Sequence, residues 1–189
     1  MLTKISSLEA AIEHLSEIQR LTKAGSWELD FVTNELSWSD EIFRIFEIDQ
    51  SSFGASYEAF LEFIHPEDRS AVDNTFISSV NTKSPYEISH RLLMPDGRIK
   101  FVREKGETFY DDGGKPLRTI GTVQDITAEM ESKIALERSQ ENLLQAERLA
   151  QFGHYKLKTG EETFQWSEGV YRILGKAPGA FEPVAQENV

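Results

Sequence analysis

Residues 86–126 read YEISHRLLMPDGRIKFVREKGETFYDDGGKPLRTIGTVQDI, three strand-like runs separated by Pro95-Asp96-Gly97 and by Asp111-Asp112-Gly113-Gly114. Turn clusters this short can join only antiparallel neighbours, so the spacing predicts a meander with strands over 86–94, 98–110 and 116–126. Period-two alternation places Tyr86, Ile88, His90, Leu92 and Met94 on one face, with Glu87, Ser89 and Arg91 on the other.

Upstream of the meander, two further strands are expected over 26–31 and 35–38, joined at Thr33-Asn34. Ser39 is placed to cap a helix whose buried face is Ile42, Phe43, Ile45 and Phe46, with Asp40 and Glu41 against its positive end. A short helix over 57–64 follows. His65-Pro66-Glu67-Asp68-Arg69 then reads as the start of another helix running to Val80, with Pro in its first turn and the two acids offsetting the dipole. Two strands, several helices and three strands imply an α+β domain with helices covering one face of a five-stranded antiparallel sheet.

The chain repeats itself. Sliding it by 128 positions aligns residues 20–46 with 148–174 without a gap, at eight identities: Arg20/Arg148, Leu21/Leu149, Gly25/Gly153, Leu29/Leu157, Trp38/Trp166, Ser39/Ser167, Arg44/Arg172 and Ile45/Ile173. Chance gives one or two, at ~6% per position. The match continues upstream through Leu8/Leu136, Glu9/Glu137, Glu13/Glu141 and Leu15/Leu143. The repeating unit is thus a helix followed by a globular domain. The expected organisation is an N-terminal helix over 1–23, a complete domain over 24–127, a linker helix over 128–151, and the incomplete opening of a second domain over 152–189. Trp166, Tyr171 and Leu174 are expected to pack that last segment on another surface.

Ile5, Leu8, Ile12 and Leu15 recur at alternating steps of three and four, a short heptad seam, and Leu136 and Leu143 recur in the linker. Either reading of the first helix fits this spacing: a coiled-coil dimer, or an amphipathic helix docked on its own domain. Small residues at Ser139 and Ala146, and Gln140 in place of Ile12, weaken the linker seam. The expected assembly is a parallel homodimer held mainly by the first helix.

Composition works by exclusion. A formal net charge of −12 repels phosphate backbones and anionic membrane faces, arguing against nucleic-acid binding. No stretch approaches the roughly 20 apolar residues that cross a bilayer, so no membrane segment is expected here. With no cysteine the chain has neither disulfide, thiolate metal site nor cysteine nucleophile, in keeping with a bacterial cytoplasmic location. No nucleophile–base–oxyanion set, phosphate-cradling glycine loop or two-His metal spacing occurs, and the Asp111-Asp112 pair has a backbone reason in its turn. An enzymatic role for this segment is not expected.

Several motifs occur in one order: Gly25-Ser26-Trp27, then Leu36-Ser37-Trp38-Ser39-Asp40-Glu41, then His65-Pro66-Glu67-Asp68-Arg69. Arg91 before Pro95-Asp96-Gly97, Phe101-Val102-Arg103-Glu104, and Gly121-Thr122-Val123-Gln124-Asp125-Ile126-Thr127 complete the series. In this order they resemble a PAS domain with its C-terminal PAC motif, and residues 152–189 resemble the start of a second. The resemblance implies strand order 2-1-5-4-3, a helix-enclosed cavity, and a non-catalytic sensory role. Such a module passes its signal through a helical linker to an output domain, most often a histidine kinase of a two-component system. A diguanylate cyclase or phosphodiesterase, or a ligand-free dimerisation scaffold, is the alternative.

The ligand is not specified. The flavin photosensors of this family use a reactive cysteine, absent here, and its haem binders use a His on the helix before the third strand, where residues 66–80 have none; both cofactors are disfavoured. Pocket candidates for a small molecule are Phe43, Phe60, Ile64, Phe76, His90 and Phe101. His90 is either a polar handle in the cavity or a hydrogen-bonded core histidine. Thr127 is placed to cap the linker helix, and Asp125 to fix its exit angle, so the two are the candidate signal relay.

Overall fold

The computed structural model describes residues 2–51, 56–150, 152–157 and 164–178. The chain divides into two units, Met1–Met130 and Glu131–Val189.

The first unit opens with helix α1 (Leu2–Thr22), followed by strands β1 (Ala24–Asp30) and β2 (Leu36–Trp38). Helices α2 (Asp40–Phe46), α3 (Tyr57–Phe63) and α4 (Arg69–Thr82) precede strands β3 (Tyr86–Leu93), β4 (Ile99–Tyr110) and β5 (Pro116–Asp125). The sheet order is β2-β1-β5-β4-β3 and every pairing is antiparallel, as the turn lengths require. The core lies between one sheet face and the helices, where Ile42, Phe46, Ile64, Val72 and Val102 are sealed from solvent.

One row across the inner face explains two glycines. Tyr86 pairs with Gly106, Gly106 with Gly121, Gly121 with Trp27, and Trp27 with Trp38. A Cβ on Gly121 would lie 2.4 Å from the Trp27 ring, and one on Gly106 would lie 2.6 Å from the Tyr86 ring. The two bare positions let both large rings lie flat on the sheet.

Two local expectations need correction. Residues 66–68 form a turn rather than the first turn of α4, which begins at Arg69. The Asp68 carboxylate makes no cap bond; it grips the Arg91 guanidinium at 2.6 and 3.0 Å and the Arg91 N–H at 2.9 Å. A two-pronged charged contact with β3 outcompetes a helix dipole. Ser39 occupies the N-cap position of α2 without capping it; its hydroxyl accepts the Ser26 N–H at 3.0 Å, pinning helix to strand.

Helix α5 (Thr127–Ala150) leads into strands β6 (Tyr155–Leu157) and β7 (Phe164–Trp166) and helix α6 (Glu168–Ile173). The strands and α6 reproduce several contacts of β1, β2 and α2. Tyr155 pairs with Trp166 as Trp27 pairs with Trp38. The Ser167 hydroxyl accepts the His154 N–H at 3.0 Å, as Ser39 does from Ser26. Trp166 and Tyr171 meet at 5.5 Å and 61°, the same figures as Trp38 and Phe43. Even the left-handed residue after the helix recurs, as Glu47 (φ 56°) and Gly175 (φ 65°). Glu47 accepts the local strain, of order 1 kcal/mol, because its carboxylate holds Arg98 at 2.6 Å and Lys100 at 2.8 Å. Those two cations keep its pKa low, at about 2.

Candidate sensory cavity and helix junction

Strand parity aims Val102, Glu104 and Gly106 of β4 inward, between outward Arg103 and Lys105. Glu104 therefore carries a carboxylate into an apolar core, where only 3% of its surface is exposed. Burying such a charge is costly unless hydrogen bonds replace water. The Tyr86 hydroxyl donates to Oε1 at 2.6 Å, and His90 Nε2 lies 3.2 Å from Oε2. Burial, together with the neighbouring carboxylate, pushes the Tyr86 phenol far above its ordinary pKa, so it stays a donor. Tyr57 is raised as well, chiefly by burial and then by Asp73, to which its hydroxyl donates at 3.1 Å.

Glu104 lines a small cavity of about 20 Å³, whose other walls include Trp27, Trp38, Phe46, Tyr57 and Phe60. Trp27 is 7% exposed, and its indole N–H has no acceptor among the described residues. The cavity is thus aromatic on most sides, with one carboxylate and one unanswered donor.

Of the sequence candidates, Phe60 lines this cavity. Ile64 and Phe76 are buried in the surrounding core, the Phe76 ring meeting that of Tyr57 at 5.0 Å and a tilt of 32°. His90 is buried behind Glu104 as a hydrogen-bonded core histidine, its Nδ1 without a partner among the described residues. Phe43 is half-buried against Trp38 and outside the cavity lining. Phe101 needs correction: odd-numbered β4 residues face away from the core, and its ring sits with Ile126 and Met130 on the opposite sheet face. Glu104 and Trp27 went unrecognised, although the alternation Val102-Arg103-Glu104-Lys105 already marks Glu104 as inward.

The same strand reaches the start of α5. The Thr127 hydroxyl accepts the Phe101 N–H at 3.0 Å, and the Phe101 carbonyl accepts the Ile126 N–H at 2.9 Å. The Asp125 carboxylate accepts the Thr127 N–H at 2.9 Å. Asp125 thus serves the free N–H at the head of α5, while Thr127, already the first helical residue, ties the helix to β4 rather than capping it. Arg103 adds a 3.4 Å contact to Glu129.

Along α1, Leu8, Ile12 and Leu15 are exposed, as are Leu136 and Leu143 along α5; Ile5 lies in α1 with its side chain outside the described residues. Among the described residues no helix is long and apolar enough to cross a membrane, and no cluster of His, Cys, Asp and Glu could hold a metal ion.

Comparison with known proteins agrees on one family. Residues 35–123 match the family described as the PAS fold. The probable diguanylate cyclase DgcE of Escherichia coli is 26% identical over 119 residues, covering 63% of this chain and 11% of that protein. The sensor protein FixL of Bradyrhizobium diazoefficiens is 27% identical over 119 residues, covering 63% of this chain and 23% of FixL. Among solved structures, a sensory box histidine kinase/response regulator from Burkholderia thailandensis superposes with a TM-score of 0.58 at 21% identity. That superposition covers 69% of this chain and 98% of the solved one. The chain spans less than a quarter of the two curated relatives.

Proposed function

The chain contains a PAS domain, and on that premise we propose that it is the sensing and dimerising part of a longer cytoplasmic signalling protein, with no catalysis of its own. The observation that carries the reading is the path along β4. Glu104 in the cavity and Phe101 at the helix junction are three residues apart on one strand, and Phe101 holds Thr127 and Ile126. A change in the cavity that shifts β4 has a hydrogen-bonded route to the head of α5. Asp125 joins the same junction to Lys23, the residue after α1.

The output is a histidine kinase of a two-component system, a reading supported by the likeness to a sensor protein and to a sensory box kinase. The likeness to DgcE favours a diguanylate cyclase as the second reading. The exposed seam of Leu8, Ile12 and Leu15 supports a parallel dimer through α1, with Leu136 and Leu143 as the adjustable contact in the linker. Residues 152–189 are the opening of a second PAS domain, a reading supported by the β6–β7 pairing and by α6, which follow the pattern of β1, β2 and α2.

The test is amide hydrogen exchange across α5 in the wild type, Thr127→Val and Asp125→Ala. Both variants are expected to exchange faster over the first two turns of α5, while β3 and the rest of β4, apart from the Phe101 amide in Thr127→Val, stay protected. Unchanged exchange in both would show that the junction does not govern the helix.

A further inference from the structure

The second unit repeats the first up to a point, and the point where it stops exposes a surface. Among the described residues β6 pairs with β7 alone, so its other edge carries no strand, whereas the same edge of β1 carries β5. The helix is already in place: a Cβ on Gly153 would meet the Val170 backbone as one on Gly25 would meet that of Ile42. What stays open is the apolar face beyond it. Leu157, Ile173 and Leu174 are 50–57% exposed, while their counterparts Leu29, Ile45 and Phe46 are at most 4% exposed.

The covered copy shows what such an edge selects. Two features of β5 fit it to β1. Gly121 stands opposite Trp27 and leaves room for the ring, and Arg118 reaches Glu28 at 3.2 Å on the outer face. Carried forward by 128 positions, the first requirement persists and the second inverts. Tyr155 replaces Trp27, again a large ring paired with a tryptophan on the next strand. Glu28, however, becomes the exposed Lys156, and Asp30 becomes Lys158 in the sequence. A strand with arginine where β5 has Arg118 would set like charges side by side, which destabilises a cross-strand neighbour; an acid there would pair.

We infer that the open edge of β6 takes an antiparallel strand with glycine opposite Tyr155 and an acidic residue three positions before that glycine, set to pair with Lys156. This rests on reading residues 152–189 as the opening of a second domain, and names the strand that completes it. Exposed ion pairs contribute little affinity, but they bias the choice between similar partners. Tandem copies misassemble by exchanging equivalent segments. Opposite signs at Glu28 and Lys156 make each hairpin prefer its own final strand.

The experiment adds three peptides to the full chain at low salt: residues 115–126, the same with Arg118→Glu, and the same with Arg118→Glu and Gly121→Val. The readout is the backbone amide resonances of Lys156 and Leu157. The Arg118→Glu peptide is expected to shift both saturably, the unchanged peptide to bind roughly fivefold more weakly, and the valine peptide to leave them unmoved. In the chain carrying Lys156→Glu, a change at an exposed position, the order of the first two should reverse. Equal binding of those two, an order that does not reverse, binding of the valine peptide, or no binding at all would each overturn the proposal. Nuclear Overhauser contacts between Tyr155 and Trp166 in the chain without peptide test the second-domain reading separately. Their absence would remove that reading. Their presence without a charge preference would remove only the strand named here.

Discussion

The backbone N–H of Asp125 donates to the carbonyl of Lys23 at 2.9 Å, joining the residue that follows α1 to the residue two positions before α5. Gln124 reinforces the contact by donating its side-chain amide to the Thr22 carbonyl at 3.3 Å. The helix that enters the domain and the helix that leaves it are therefore held at one point. A force on either is felt at the other without crossing the core.

That arrangement makes the two seams unequal. Ile12→Glu places a charge in the middle of the α1 stripe and is expected to yield monomers in sedimentation. Leu143→Glu falls in the linker, where Ser139 and Ala146 already weaken the contact, and should leave the dimer largely intact. Monomers from Leu143→Glu alone would make the linker the structural clamp.

The buried carboxylate should be stabilising only through its partners. Glu104→Ala leaves the Tyr86 hydroxyl and His90 without their acceptor and is expected to cost roughly 2–4 kcal/mol in urea unfolding. Glu104→Gln retains an acceptor for Tyr86 and should cost about 1 kcal/mol. Equal losses would mean that charge, rather than hydrogen bonding, holds the site together.

Gly121→Ala tests the bare row under the rings. The added Cβ would meet the Lys105 carbonyl as well as the Trp27 ring, neither of which can retreat easily. A loss of about 2 kcal/mol or more is expected, with altered Trp27 fluorescence. Gly113→Ala, whose Cβ meets only the Asp111 side chain at 3.3 Å, should be near neutral.

Acid should release the α4–β3 clamp. Arg91 holds the Asp68 carboxyl at about 2, below its ordinary 3.8. A depressed folded-state pKa means that the contribution is complete above about pH 4 and disappears as pH falls through about 2. Urea midpoints measured from about pH 5 downward should fall more steeply for the wild type than for Asp68→Asn. Parallel curves would remove Asp68 from the acid response.

Much of this was open to reading from the chain, because local signals and their consequences coincide. The Pro95-Asp96-Gly97 and Asp111–Gly114 turns dictate a meander, and once the meander is antiparallel the inward register follows by parity. What escaped was competition between partners. Nothing local tells that Asp68 will leave its helix for Arg91, 23 residues onward, or that the Ser39 hydroxyl will take Ser26 instead of its own helix. Phe101 misled because its side chain is apolar while its parity is outward; the surface it covers, Ile126 and Met130, lies in the junction with α5. Glu104 escaped for the converse reason, being a charged residue at an inward position.

The doubled hairpin and helix has a kinetic meaning. Residues 153–157 and 164–176 keep the ring angle, the serine pin and the register of their counterparts in residues 25–48, although none of the strands β3 to β5 belongs to their unit. A shape that persists in two surroundings is written in its own short-range contacts, which close at little entropic cost. During synthesis residues 25–48 can adopt their form as soon as they are clear of the ribosome. They then offer the later meander a template edge, β1, on which to zip its final strand.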